Sequence, residues 1–247
     1  MSYHLVVPWS ADEIASLLVR GLASREEALR AEQAVHGLDA LAEVELHPLL
    51  AAALETGGYA AFRETPYPGQ PDALPRESER ERCDLIVAPG GTRAIADAVR
   101  ARKELLCAEG TLFAAIADRV STPGPGHLLP DDALWLEVKT FGQYTYTDGL
   151  AGPNRTYASQ FGVCTSDVRK LARARGIGDA GLVIVHFGAD GRVAEHDLTA
   201  FVHRCLDLDL PVTGLVREAF PVLDRIGNRV CTVALVPIRA AYAGSWT

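Results

Sequence analysis

The stretch Leu134-Trp135-Leu136-Glu137-Val138-Lys139-Thr140 decides how this chain is read. Strand side chains alternate between faces, so Leu134, Leu136 and Val138 point one way and Trp135, Glu137 and Lys139 the other. Glu137 and Lys139 then stand roughly 7 Å apart on one face, at a rise of about 3.3 Å per residue. A half-buried strand with a solvated face would read the same way, and that arrangement is the commoner one. A second strand adds to the signal: Arg82-Cys83-Asp84-Leu85-Ile86-Val87 carries a lone acid, Asp84, at the entrance of an apolar run. Two carboxylates and a lysine suit a divalent cation, since Mg²⁺ takes one or two carboxylates and fills its other positions with water and phosphate. A neighbouring ammonium can orient a nucleophile or stabilise charge developing on phosphorus.

Asp84 followed by Glu137-Val138-Lys139 resembles the D…(D/E)-x-K core of the PD-(D/E)XK, or restriction-endonuclease-like, nuclease superfamily. The resemblance covers residues 39–190, rests on short and degenerate motifs, and leaves the substrate open. It implies an α/β fold, a mixed central sheet flanked by helices, in a single domain. Residues 1–38 would be an N-terminal helical appendage, 39–190 the nuclease-like core and 191–247 a C-terminal sheet extension. It further implies a Mg²⁺-dependent endonuclease, with Mn²⁺ as a substitute ion. Asp84 and Glu137 would hold the metal with the backbone carbonyl of Val138. Lys139 would position the attacking water and stabilise the transition state. The partner would be nucleic acid, DNA in the first place, and a two-fold dimer would suit cutting two strands.

Other segments supply secondary candidates. Ser10 with Glu13 and Ser24 with Glu27 each fit a capping box, predicting helices over 11–21 and 25–36. From Asp39 an apolar stripe, including Leu46, Leu50 and Leu54, runs until Thr56-Gly57-Gly58 stops it. Pro48 either opens a new helix there or kinks a longer one. As counterpart of the resembled family's first core helix, this segment offers Glu43 or Glu45 as a further acid; Glu45 is marginally preferred, and a solvated face is the plain alternative. Glu64, on the strand before Asp84, is another secondary candidate. Arg82, at the end of a mixed-charge arm, is a candidate phosphate contact.

Ala88-Pro89-Gly90-Gly91 matches no phosphate-loop pattern and reads as a turn. Thr92 then opens a helical insertion reaching Arg119, longer than the hairpin expected of the resembled family and suited to a lid or partner surface. Thr140 to Tyr157 mixes aromatic and polar groups, among them Phe141, Gln143, Tyr144, Tyr146, Arg155 and Tyr157. It suits stacking on bases and contacts to phosphate, or equally a polar loop on a sheet edge. Gln143 joins the secondary site candidates and Arg155 the nucleic-acid contacts. Ser166 to Arg175 reads as a helix stopped by Gly176, and its Arg169, Lys170 and Arg173 make it the most basic element, a candidate backbone anchor. Gly181 to Phe187 has the length and β-branching of a buried central strand, with His186 as a core histidine.

Composition narrows the function classes. The 247 residues are 48% hydrophobic and 23% charged, enough for one domain with a substantial core. No run approaches the roughly 18 apolar residues of a membrane span, so no membrane partner and a cytoplasmic location are expected. The five cysteines are odd in number and never spaced C-x-x-C, against both a disulfide framework and a zinc site. A net charge of −8 disfavours coating of nucleic acid, which depends on neutralising phosphates. It leaves room for a metal-dependent nuclease, and for a non-catalytic nucleic-acid- or protein-binding module as the alternative. No G-x-S-x-G or H-E-x-x-H points to other hydrolase chemistry.

Overall fold

The computed structural model describes residues 9–69, 74–109 and 124–239. Six strands form the central sheet: β1 (Ala60–Pro66), β2 (Arg82–Ala88), β5 (Leu134–Gly142), β8 (Asp179–Gly188), β9 (Val216–Pro221) and β10 (Val230–Arg239). Their spatial order is β1-β2-β5-β8-β10-β9. Only β5 and β8 run parallel, Glu137 lying beside Leu182 and Lys139 beside Ile184, and every other pairing is antiparallel. Two short pairs lie outside the sheet: β3 (Ala94–Ile95) with β4 (His127–Leu128), and the hairpin of β6 (Tyr144–Thr147) and β7 (Leu150–Pro153).

The two-residue period assigns each strand's side chains to one of two cores. Leu85, Val87, Leu136, Val138, Val183 and Val185 meet helices α1 (Ala11–Ala31) and α2 (Glu43–Thr56) through Ile14, Leu18, Leu22, Leu46, Leu50 and Leu54. Ile86, Trp135, Leu182, Ile184 and Val236 face the other way. They pack with Cys164, Val168 and Leu171 of α4 (Tyr157–Arg173) and with Leu198 and Phe201 of α5 (Gly191–Asp207). The result is a mixed α/β architecture with helices on both faces of a mostly antiparallel sheet. Each fully buried leucine here contributes about 1.5–3 kcal/mol from burial alone.

The helix boundaries depart from the sequence-based ones at several points along the chain. Residues 11–31 form one helix rather than parts of two: Ser10 Oγ accepts the Glu13 N–H at 3.2 Å, whereas Ser24 and Glu27 lie inside the helix. Continuous burial of Val19, Leu22 and Leu29 against the sheet overrides the local capping signal at Ser24. The helix predicted from Asp39 starts only at Glu43, after a 3₁₀ turn over Leu38–Ala40, and carries Pro48 inside it. The basic helix begins at Tyr157, nine residues earlier than its predicted start at Ser166. Within the insertion, where the sequence predicts a helix from Thr92, the short strand β3 comes first and α3 (Ala98–Ala108) follows, capped by Asp97; residues 110–119 of the predicted insertion lie outside the described residues.

At Gly90-Gly91 the chain turns as predicted, Gly91 having φ 87°. A Cβ on Gly90 would fall 2.3 Å from the Gly58 carbonyl oxygen, so the close approach of these two turns excludes any side chain there.

Candidate metal centre

The ladder between β2 and β5 is short: Leu85, Ile86 and Val87 pair with Leu136, Trp135 and Leu134, and pairing stops there. Beyond that point side chains do what a neighbouring strand would do. The Val138 N–H donates to Asp84 Oδ2 at 2.8 Å, and the Thr140 N–H to Glu43 Oε2 at 3.0 Å. Lys139 Nζ donates to the Val138 carbonyl at 3.0 Å, and Cys83 Sγ to the Leu136 carbonyl at 3.2 Å. Backbone groups must be satisfied somewhere, and here they draw ionisable side chains to the opening between two strands.

On the other flank of β2, β1 keeps register through Arg63 with Leu85 and Thr65 with Cys83. Between those pairs Glu64 stands opposite Asp84 with φ 51°, a left-handed conformation unusual for a residue with a Cβ. Such outliers persist where the surroundings over-determine them, commonly at functional positions.

α2 brings two more groups. Glu43 and His47 are one helical turn apart, hence on one face, and with Asp84 they place one ligand atom each within 4.8 Å of one another. His47 is only 4% exposed, and neither ring nitrogen makes a hydrogen bond among the described residues. Its Nδ1 lies 3.4 Å from Glu64 Oε1, close enough for attraction but without hydrogen-bond geometry. A buried polar group left so costs about 1–3 kcal/mol, and a cation among these carboxylates would give the imidazole a partner.

Lysines neutralise the remaining acids. Lys139 Nζ is 2.9 Å from Glu43 Oε1 and 4.0 Å from Asp167 Oδ2. Burial works against its charge, but Glu43 first, then Asp167 and Asp84, leave its pKa raised. Glu137, 3% exposed, takes the Tyr67 O–H at 2.6 Å and the Lys170 ammonium at 2.9 Å, both on Oε1. Burial, and then repulsion from Asp84, raise the Glu137 pKa against the lowering pull of those two bonds. Burial also pushes the nearby Cys83 thiol up to about 12, so it stays protonated.

Among the residues anticipated from the sequence, Asp84, Glu137, Val138, Lys139, Glu64 and Lys170 come together here. Lys170 is bound to Glu137, and also to the Arg82 carbonyl at 3.1 Å, rather than standing clear on a basic face. Arg82 borders the site, donating to the Glu64 carbonyl at 2.7 Å.

Others do not join the site. Glu45 turns back to accept the Ala42 N–H at 2.7 Å, so of the two helix acids it is Glu43 that reaches β5. Gln143 accepts the Ala189 N–H at 2.8 Å and pins the end of β5 to the end of β8. Arg169 lies near Cys205 of α5, while Arg155 and Arg173 are exposed. Phe141, Tyr157 and Phe161 pack edge to face on one another, filling the core instead of presenting stacking surfaces.

His47 and Asp167 were not singled out from the sequence. The helical spacing Glu43-x-x-x-His47 was a usable signal for the first. Comparison with family models, with curated proteins and with solved structures gave no match to this chain.

Proposed function

We propose that the chain is a metal-dependent phosphodiesterase acting on nucleic acid. The observation that carries this reading is the convergence of Asp84, Glu43 and the buried His47, whose ring makes no hydrogen bond among the described residues, beside Lys139, where β2 and β5 part. Asp84, Glu43 and His47 would hold the ion, with Glu137 as a further carboxylate beside Asp84. The two carboxylates suit Mg²⁺ or Mn²⁺, and the imidazole beside them shifts the preference toward Mn²⁺. A bound divalent ion supplies Lewis acidity toward a phosphoryl oxygen and lowers the pKa of water. Lys139, at the mouth beside Glu43 and the Val138 carbonyl, would offer its ammonium to charge growing on phosphorus. Asp84 doubles as the anchor of the Val138 N–H and so fixes the β5 backbone at the reacting end.

Plasmid nicking and labelled RNA cleavage, each with Mg²⁺ or Mn²⁺, test the reading. Asp84→Ala and Lys139→Ala are expected to lower cleavage by at least 100-fold, on the order of the loss of one oriented catalytic group. Wild-type rates in either variant would refute the assignment.

One observation favours a second reading, a non-catalytic binding module on the same fold: Glu137 is already paired with Lys170 and hydrogen-bonded by Tyr67, so this carboxylate is satisfied without an ion. Nucleic-acid or protein binding that persists in full with metal chelated, with no cleavage, would select it.

A further inference from the structure

Asp167 reaches the cluster from α4 with one buried carboxylate oxygen unbonded. Its Oδ2 is buried and makes no hydrogen bond among the described residues, while Lys139 Nζ stands 4.0 Å away. The charged groups around it are Lys139, Glu137, Lys170 and Glu43. Of the two lysines, Lys170 is committed to Glu137 and the Arg82 carbonyl. Lys139 is therefore the cation within reach. It is presently held by Glu43, one of the three groups whose ligand atoms converge.

We propose that Asp167 is a positioning residue that receives the Lys139 ammonium when a divalent ion takes Glu43. The proposal rests on the metal-centre reading given above. An ion on Glu43 and an ammonium on the same carboxylate compete for one charge and repel one another, so the ammonium must move. A shift of about 1 Å brings Nζ from 4.0 Å to hydrogen-bonding distance of the empty Asp167 oxygen. The lysine stem is flexible enough to make it. The move satisfies a buried carboxylate oxygen, keeps Lys139 charged beside the ion, and turns it away from Glu43 without carrying it out of the site. Asp167 thus sets where the ammonium points once the ion is in place.

A double-mutant cycle on ion affinity tests this. Mn²⁺ is titrated calorimetrically into wild type, Asp167→Asn, Lys139→Met and the double variant, with thermal melts confirming that each folds. Asp167→Asn is expected to weaken Mn²⁺ binding about tenfold more when Lys139 is present than in the Lys139→Met background, the size of one charged hydrogen bond. Asp167→Ser should reproduce that coupling if the Asn variant melts early. An equal loss in both backgrounds, or none in either, overturns the exchange while leaving the metal centre standing. No Mn²⁺ binding to any of the four folded proteins overturns the metal centre and the exchange together.

Discussion

Replacing His47 by Leu removes a buried imidazole that makes no hydrogen bond among the described residues and keeps most of its volume. The metal-free protein should then gain about 1 kcal/mol in stability, because an unsatisfied polar group is gone. Its stabilisation by Mn²⁺ should shrink or vanish, since binding to the native state is what raises the melting temperature. Melts with and without Mn²⁺ read both effects. A second histidine behaves differently. His186 is fully buried, its Nε2 lies 2.5 Å from the Tyr157 hydroxyl, and that hydroxyl donates to Asp197. Burial lowers its pKa from 6.5 to about 4. The unfolded chain therefore takes up a proton as pH falls below 6.5 while the folded chain does not, and stability is lost on acidification, not on alkalinisation. Between pH 7 and 4.5 the loss should be about 2–3 kcal/mol, and His186→Phe should abolish that part, as urea midpoints at the two pH values would show. Asp84, Glu137 and Lys139 were legible as a set because strand alternation ties two of them and the apolar run marks the third. The spacing of Glu43 and His47 marks a shared helix face, but that face and Asp167 join the set only through the packing of α2 and α4 onto β5.

Between elements, a buried ion pair ties α1 to the β9–β10 connection. Arg225 Nη1 lies 2.6 Å from Glu26 Oε1, and Glu26 also accepts the N–H groups of Leu38 and Leu223. Arg225→Met leaves that carboxylate buried and uncompensated and should cost about 3–5 kcal/mol; replacing both residues by apolar ones of similar size should cost much less. Comparing urea unfolding of the single and double variants checks the asymmetry. Strands were easier to read than helix ends because a period of two shows within a few residues. The early start of α4 was readable in principle: Tyr157, Phe161, Cys164, Val168 and Leu171 follow the helical spacing. Tyr157, at the end of an aromatic and polar stretch, also fitted a nucleic-acid loop. Propensity alone could not choose, and tertiary burial did.

For the whole molecule, α1 is one of the layers that close the sheet, since Ile14, Leu18 and Leu22 share a core with Leu136, Val185 and Val233. Deleting residues 1–36 would uncover that face, and the shortened chain should lose cooperative unfolding, as followed by circular dichroism; Leu18→Ala alone should cost about 2–5 kcal/mol. The two-core arrangement was implicit in the alternating strands, but the order β1-β2-β5-β8-β10-β9 was not, because register and neighbour choice are long-range. The gap where β5 leaves β2 has a consequence for observation. Its edge amides, Val138 and Thr140, are shielded by the carboxylates of Asp84 and Glu43 instead of by carbonyls. Their exchange with deuterated solvent therefore follows the acidic cluster and not the sheet, giving two backbone probes that sense any rearrangement of the carboxylates without a substrate or a label.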